Sequence, residues 1–414
     1  MVKMENVFEI LQERGFVQQC TNQEAVSQLL SEGKIAYYVG FDPTADSLHA
    51  GSLVPIMAMA HLQRAGHRPV AIVGGGTTMI GDPSGRTEMR QLMSRETIDA
   101  NGIGILGQLK RYLDFSDGHG IFLNNADWLL SLNYIEFLRD IGQHFRVNEM
   151  IRAEAYRQRL EREEGLSFIE FNYQLLQAYD FLHLFQQYGC ALQLGGDDQW
   201  GNILAGVDLI RRINRKTVHA LTFPLLTTAS GAKMGKTASG AVWLDASRTS
   251  PYEFYQYWIN TDDRDVERFL AYFTFLPMDE VQRLGRLRDA ELRKAKEVLA
   301  YEVTKLAHGK DEAETARATS RAAFGGQSDD LSAIPTSIIK PDRFAEGIPI
   351  TVLFHEVGLT TSRSEARRLI QQGGAYINEQ QVRDFKTIVD SGFLEDDALL
   401  LRYGKKRYHR VLVG

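Results

Sequence analysis

The sequence predicts an α/β chain: a doubly wound parallel sheet with a helical insertion, followed by an α-helical region and a small C-terminal α+β unit. Three observations carry this. Apolar strands alternate with helical stretches from Lys34 to about Asp82, with glycines at the strand exits. A helical, amphipathic pattern over about 124–165 breaks that rhythm before Ala191–Leu194 resumes it. Past Lys236 the sheet signal stops, and 251–276 and 289–309 read as helices.

Each element has a local reason. Ile35–Val39 is a short apolar run suited to a buried strand, and Leu53–Ala65 has helical apolar spacing that ends at Gly66. Pro69–Val73 is a second such strand, closed by Gly74, Gly75 and Gly76. In a doubly wound sheet ligands sit beyond the carboxyl ends of the strands, where these glycines fall. A break over 324–330, then Pro335, Pro341 and Pro349, marks a linker before a last segment that begins near Ile350. The expected units are 1–232 (insertion 124–165), 233–335 and 345–414. A length of 414 residues requires more than one core.

Composition narrows the class. A 44% hydrophobic and 24% charged share is that of a soluble globular protein, with no run of about 20 apolar residues to span a bilayer. The first residues lack a secretory layout. Two cysteines, Cys20 and Cys190, without Cys-x-x-Cys spacing, read as free thiols in a reducing, cytoplasmic setting. The ten histidines are scattered, so no protein-held metal is expected. A net charge of −6 argues mildly against nucleic acid, yet 401–410 holds five cations and no acid. A solvated basic strand is the plainer alternative for that tail.

Four motifs carry chemistry. Tyr38 to Ser52 reads as strand, turn and helix start, where oriented N–H groups and the His49 imidazole would meet a nucleotide phosphate. Gly40 and Gly51 would let the nucleotide approach the backbone, with Asp42 and Thr44 as further contacts. Lys233 and Lys236 flank Met234 and Gly235, two ammonium groups on a loop that would face departing pyrophosphate. Between them, Gly195–Asn202 offers Gly196, Asp198 for ribose hydroxyls, and Gln199. Finally, Tyr173, Gln177 and Asp180 share one helical face, a polar stripe that is costly to bury without partners. An amphipathic helix with a wet face is the alternative there.

Together these segments resemble the signature elements of the class I aminoacyl-tRNA synthetase family, and their wording is similar to its bacterial tyrosyl branch. The resemblance runs from about Phe8 to the C-terminus. It implies a Rossmann-like sheet, an anticodon-side helical domain and an S4-like RNA-binding domain. It implies that tyrosine and ATP form tyrosyl-adenylate, and that tyrosine then passes to the 3′ end of tRNA(Tyr), with Mg²⁺ brought by ATP. By resemblance Tyr38 and Asp180 bond the substrate hydroxyl, Tyr173, Gln177 and Asp82 take the ammonium, and Gln199 lies near the carboxylate. Arg86 and Arg90 join His49, Thr44, Lys233 and Lys236 at the phosphates. Arg363, Arg367, Arg368, Lys405, Lys406 and Arg407 face RNA, and a homodimer forms around Phe168. One departure stands out: the first signature ends in a second histidine, and here the residue is Ser52. The tryptophanyl branch shares fold and signatures, but a phenol suits the Tyr38–Asp180 pair better than an indole. A non-catalytic RNA-binding relative is the reading Ser52 would favour.

Overall fold

A computed structural model describes residues 6–84, 93–161, 166–229, 231, 234–237, 240–325, 334–395, 397–404 and 407–414. Six strands form the main sheet: β1 (Gln19–Cys20), β2 (Ala36–Phe41), β3 (Arg68–Val73), β4 (Ile121–Asn124), β5 (Cys190–Gly196) and β6 (His219–Phe223). Their order is β1-β6-β5-β2-β3-β4, parallel throughout except for β1 against β6. Side chains alternate across a strand, so β2 serves two cores. Tyr37, Val39 and Phe41 join one with Met57, Met59 and Leu62, while Ala36 and Tyr38 join the other with Leu175, Phe181 and Leu182. A sheet apolar on both faces must be covered on both, hence the double winding.

The chain leaves β2 toward β3 on one side and returns through β5 on the other, which makes the β2–β5 boundary the switch point. The helix Phe168–Tyr188 packs across it. Ser167 and Glu170 form a reciprocal capping box at its start, and Gly189 ends it at φ 65°. The buried Arg159 bonds the same Glu170 at 2.8 Å.

Three local readings change. Residues 121–124, just ahead of and into the expected insertion, pair as β4 with Val70–Val73. Short helices follow: Ala126–Leu129, Tyr134–Asp140, Val147–Met150 and Glu154–Glu161. The stretch 251–276 is two helices, Pro251–Ile259 and Val266–Phe273, because Asp262 turns its carboxylate onto the Arg264 N–H and starts a new turn. Sheet structure also continues past Lys236 as a small ladder, Lys236–Thr237 with Gly240–Ala241.

The C-terminal unit has its own core, which includes Phe344, Leu353, Phe354, Leu369 and Val411. Its five-stranded sheet is entered by Thr336–Ile339, parallel to Arg407–Val413, so it recruits chain ahead of residue 345. Among the described residues no helix is long and apolar enough to cross a membrane. Cys190 is buried and Cys20 half-buried, both free.

Candidate active site

The carboxyl edge of the sheet gathers the motifs. Beyond β2, His49 caps the short turn Ala50–Ser52: its Nδ1 accepts the Gly51 N–H at 3.0 Å. With Nδ1 an acceptor, the neutral ring carries its proton on Nε2. Ser52 precedes the helix Leu53–Arg64, yet its hydroxyl makes no capping bond. Gly51 also has a packing reason of its own. A Cβ there would fall 2.9 Å from the Met234 carbonyl oxygen, so its bareness admits the neighbouring chain. Gly235 reciprocates at φ 79°, where a Cβ would lie 2.5 Å from the Gly51 nitrogen. At Gly40 an added Cβ would meet nothing within 4 Å. Thr44 is exposed, and Asp42 sits beside Gly74.

Behind that edge lies a buried group of polar side chains among apolar ones. Asp180 is buried and accepts from Asn125 Nδ2 at 2.9 Å and Trp128 Nε1 at 2.7 Å. Burial pushes its carboxyl up to about 7 despite those two donors. The Tyr38 hydroxyl is buried and has no protein partner, and burial together with Asp180 holds that phenol well above its usual range. Gln177 Oε1, Thr78 Oγ1 and Gln193 Oε1 are likewise buried without a bond, and Gln193 is the β5 register neighbour of Tyr38. Buried polar atoms without a partner among the described residues also occur elsewhere, at Tyr255 and Trp258 for example; what sets the Tyr38 hydroxyl apart is its place beside the Asp180 carboxyl.

Asp82 is a second buried carboxyl, beyond β3. Its Oδ1 accepts from Ser84 N–H at 2.9 Å and its Oδ2 from Gln199 Nε2 at 2.7 Å. Burial, then the nearby Asp42, pushes Asp82 up to about 6. A buried carboxyl with raised pKa and, among the described residues, no cation bonded to it suits an incoming ammonium. Tyr173 is buried on the same helix as Gln177 and Asp180.

Asn125, Trp128, Thr78 and Gln193 escaped sequence reasoning. The signal for the first two was the apolar run 121–123 ahead of Asn124: recognised as a strand, it would have put Asn125 at the same edge. Asp198 is exposed at the end of β5, and a Cβ on Gly196 would approach its Oδ1 to 2.7 Å. Arg86, Arg90, Lys233, Lys405 and Lys406 lie outside the described residues, and Lys236 is placed by its backbone, paired with Ala241. In the C-terminal unit Arg363, Arg367 and Arg368 are exposed on the helix Arg363–Gln371, whose opposite face buries Ala366, Leu369 and Ile370. Arg368 and Arg407 line a cleft of about 1,890 Å³ between this unit and the helical region. Among the described residues no group of three His, Cys, Asp or Glu side chains is placed to hold a metal ion.

Fold and site together define an enzyme of the class I aminoacyl-tRNA synthetase kind. Residues 30–325 match the family described as tRNA synthetases class I (W and Y), and 332–411 match the tyrosine–tRNA ligase SYY-like C-terminal domain. The chain belongs to this family, tyrosine–tRNA ligase branch included. It is 56% identical to the tyrosine–tRNA ligase of Desulfosudis oleivorans and 55% identical to that of Clostridium tetani, over 99% of every chain involved. Among solved structures it resembles a C-terminally truncated mitochondrial tyrosyl-tRNA synthetase of Aspergillus nidulans, with TM-score 0.71 and 33% identity over 78% of this chain and 95% of that one. An Archaeoglobus fulgidus tyrosyl-tRNA synthetase complexed with L-tyrosine shares the fold, with TM-score 0.56 and 17% identity over 75% of this chain and 99% of that one.

Proposed function

We propose that the protein is a tyrosine–tRNA ligase whose phenol contact is the Tyr38–Asp180 pair. The observation that carries this is the buried, partnerless Tyr38 hydroxyl beside an Asp180 carboxylate held by two donors. A phenol O–H donates to Asp180 and accepts from Tyr38; phenylalanine leaves the Tyr38 hydroxyl unpaired and brings Asp180 no donor. Asp82, Tyr173 and Gln177 receive the ammonium, and Gln199 faces the carboxylate.

The substrate carboxylate is already an anion and needs no base. One of its oxygens attacks the α-phosphorus of ATP, the bond to the β-phosphate bridging oxygen breaks, and pyrophosphate leaves. The ribose hydroxyl at the tRNA 3′ end then attacks the acyl carbon and displaces AMP. Rate comes from positioning and from donors aimed at developing charge. His49 Nε2–H, Thr44 and the turn at Gly51, with Ser52 beside it, face the phosphates. So do Lys233, Lys236, Arg86 and Arg90, while Gly40, Asp42, Gly196 and Asp198 line the nucleoside side. Mg²⁺ arrives with ATP, ligated by phosphates and water.

The C-terminal arginines Arg363, Arg367, Arg368 and Arg407, with Lys405 and Lys406, bind the tRNA backbone, so charging is salt-sensitive. The working unit is a homodimer in the cytoplasm. Exposed Tyr134, Ile135, Val147, Phe168 and Ile169 gather on the insertion and the start of the following helix, which supports a buried partner surface. Amino-acid-dependent exchange between ATP and labelled pyrophosphate tests the core reading. Exchange driven by tyrosine supports it, and exchange driven by tryptophan alone overturns it.

A further inference from the structure

The described residues on either side of Lys233, Thr227–Ala229 before it and Met234–Gly235 leading into Lys236 after it, are each held from outside the sheet. At one end the buried Asp265, which opens the helix Val266–Phe273, accepts the Ala229 N–H on Oδ2 at 2.7 Å. Arg268 braces the same end, donating to the Thr227 carbonyl at 2.7 Å and to Asp265. At the other end the Gly235 N–H donates to the Tyr257 oxygen at 3.2 Å, and the Tyr257 hydroxyl points at Met234 Sδ, 3.8 Å away. From Gly235 a backbone relay continues inward. Its carbonyl accepts from Val242 N–H at 2.9 Å, and the Val242 carbonyl accepts from Ala50 N–H at 2.8 Å. Ala50 opens the turn capped by His49, whose ring meets Trp243 edge-on at 6.4 Å.

We propose that Tyr257 and Asp265 are positioning residues for adenylate formation, fixing the lysine-bearing segment against the His49 turn from the helical region. Among the described residues neither is hydrogen-bonded to Tyr38, Asp180 or Asp82, and both also line the cleft beside the C-terminal unit. The inference rests on the reading of Lys236 as a pyrophosphate contact. Transition-state contacts are sensitive to sub-ångström placement, and losing the anchor of one end loosens the lysine without removing it.

Single-turnover adenylate formation, tyrosine affinity and melting temperature, measured on the full chain, test this. Tyr257→Phe keeps the ring and removes only the oxygen. It should slow adenylate formation about five- to tenfold, the scale of one hydrogen bond, with tyrosine Kd and Tm unchanged. Asp265→Ala should do the same or more, and Asp265→Asn, which retains an acceptor for Ala229, should recover part of the rate. A slow Lys236→Ala beside an unchanged Tyr257→Phe overturns the anchor alone. A full rate in Lys236→Ala overturns the loop reading beneath it. Loss in Tyr257→Phe that tracks Tm or tyrosine affinity marks a merely structural residue and also overturns the proposal.

Discussion

At the residue scale, two carboxyls set how the pocket responds to pH. Asp180 and Asp82 are pushed up to about 7 and about 6. In the proposed reading both are ionised to receive a phenol hydroxyl and an ammonium. Tyrosine affinity therefore falls as pH drops through that window, which calorimetric titration between pH 8 and pH 5.5 will show. The linkage to folding has the opposite sign. A carboxyl with a raised folded pKa costs stability as pH rises from its unfolded value near ~4 toward 7. Asp180→Asn should therefore gain stability relative to the parent across that rise, read from paired denaturant curves. Asp180→Ala removes a charged hydrogen bond to substrate and should lower kcat/KM for tyrosine about ten- to a hundredfold.

At the element scale, the helix Phe168–Tyr188 is fixed at its N-terminus before it presents any side chain to substrate. Glu170 completes the capping box and neutralises Arg159, both of them buried. Glu170→Ala strands that guanidinium and should cost about 3–5 kcal/mol in urea denaturation, the usual penalty for half a buried ion pair. This element was legible in the sequence because Tyr173, Gln177 and Asp180 fall at helical spacing between apolar residues. Asn125 and Trp128 were not, because their link to Asp180 spans 55 and 52 residues and depends on a four-residue strand. Gly51 shows the other limit: its spacing marked the turn, but only the folded chain shows that Met234 needs the room.

At the scale of the whole molecule, the two ends of the reaction are built on separate cores. The C-terminal unit meets the rest through a small cluster of Tyr252, Ile334, Tyr408 and Leu400. Its first strand, Thr336–Ile339, pairs with the last strand of the chain, Arg407–Val413, so a clean truncation falls near residue 325 and not inside that sheet. Such a truncate should keep tyrosine-dependent exchange and lose tRNA charging, measured side by side in filter assays. Pairing of strands about 70 residues apart leaves no local mark, which is why the sequence placed the start of this unit late. Phe168→Asp, on the exposed apolar surface, should yield monomers by light scattering. The alternation of strands and helices made the doubly wound sheet readable, since burial on both faces dictates apolar strands.

The most direct test compares tyrosine with phenylalanine in pyrophosphate exchange by the parent and by Tyr38→Phe. Losing the hydroxyl should lower kcat/KM for tyrosine about fivefold or more, leave phenylalanine nearly unchanged, and so narrow the ratio between them. An unaltered ratio would mean that the phenol is bound elsewhere and would contradict the pocket described here.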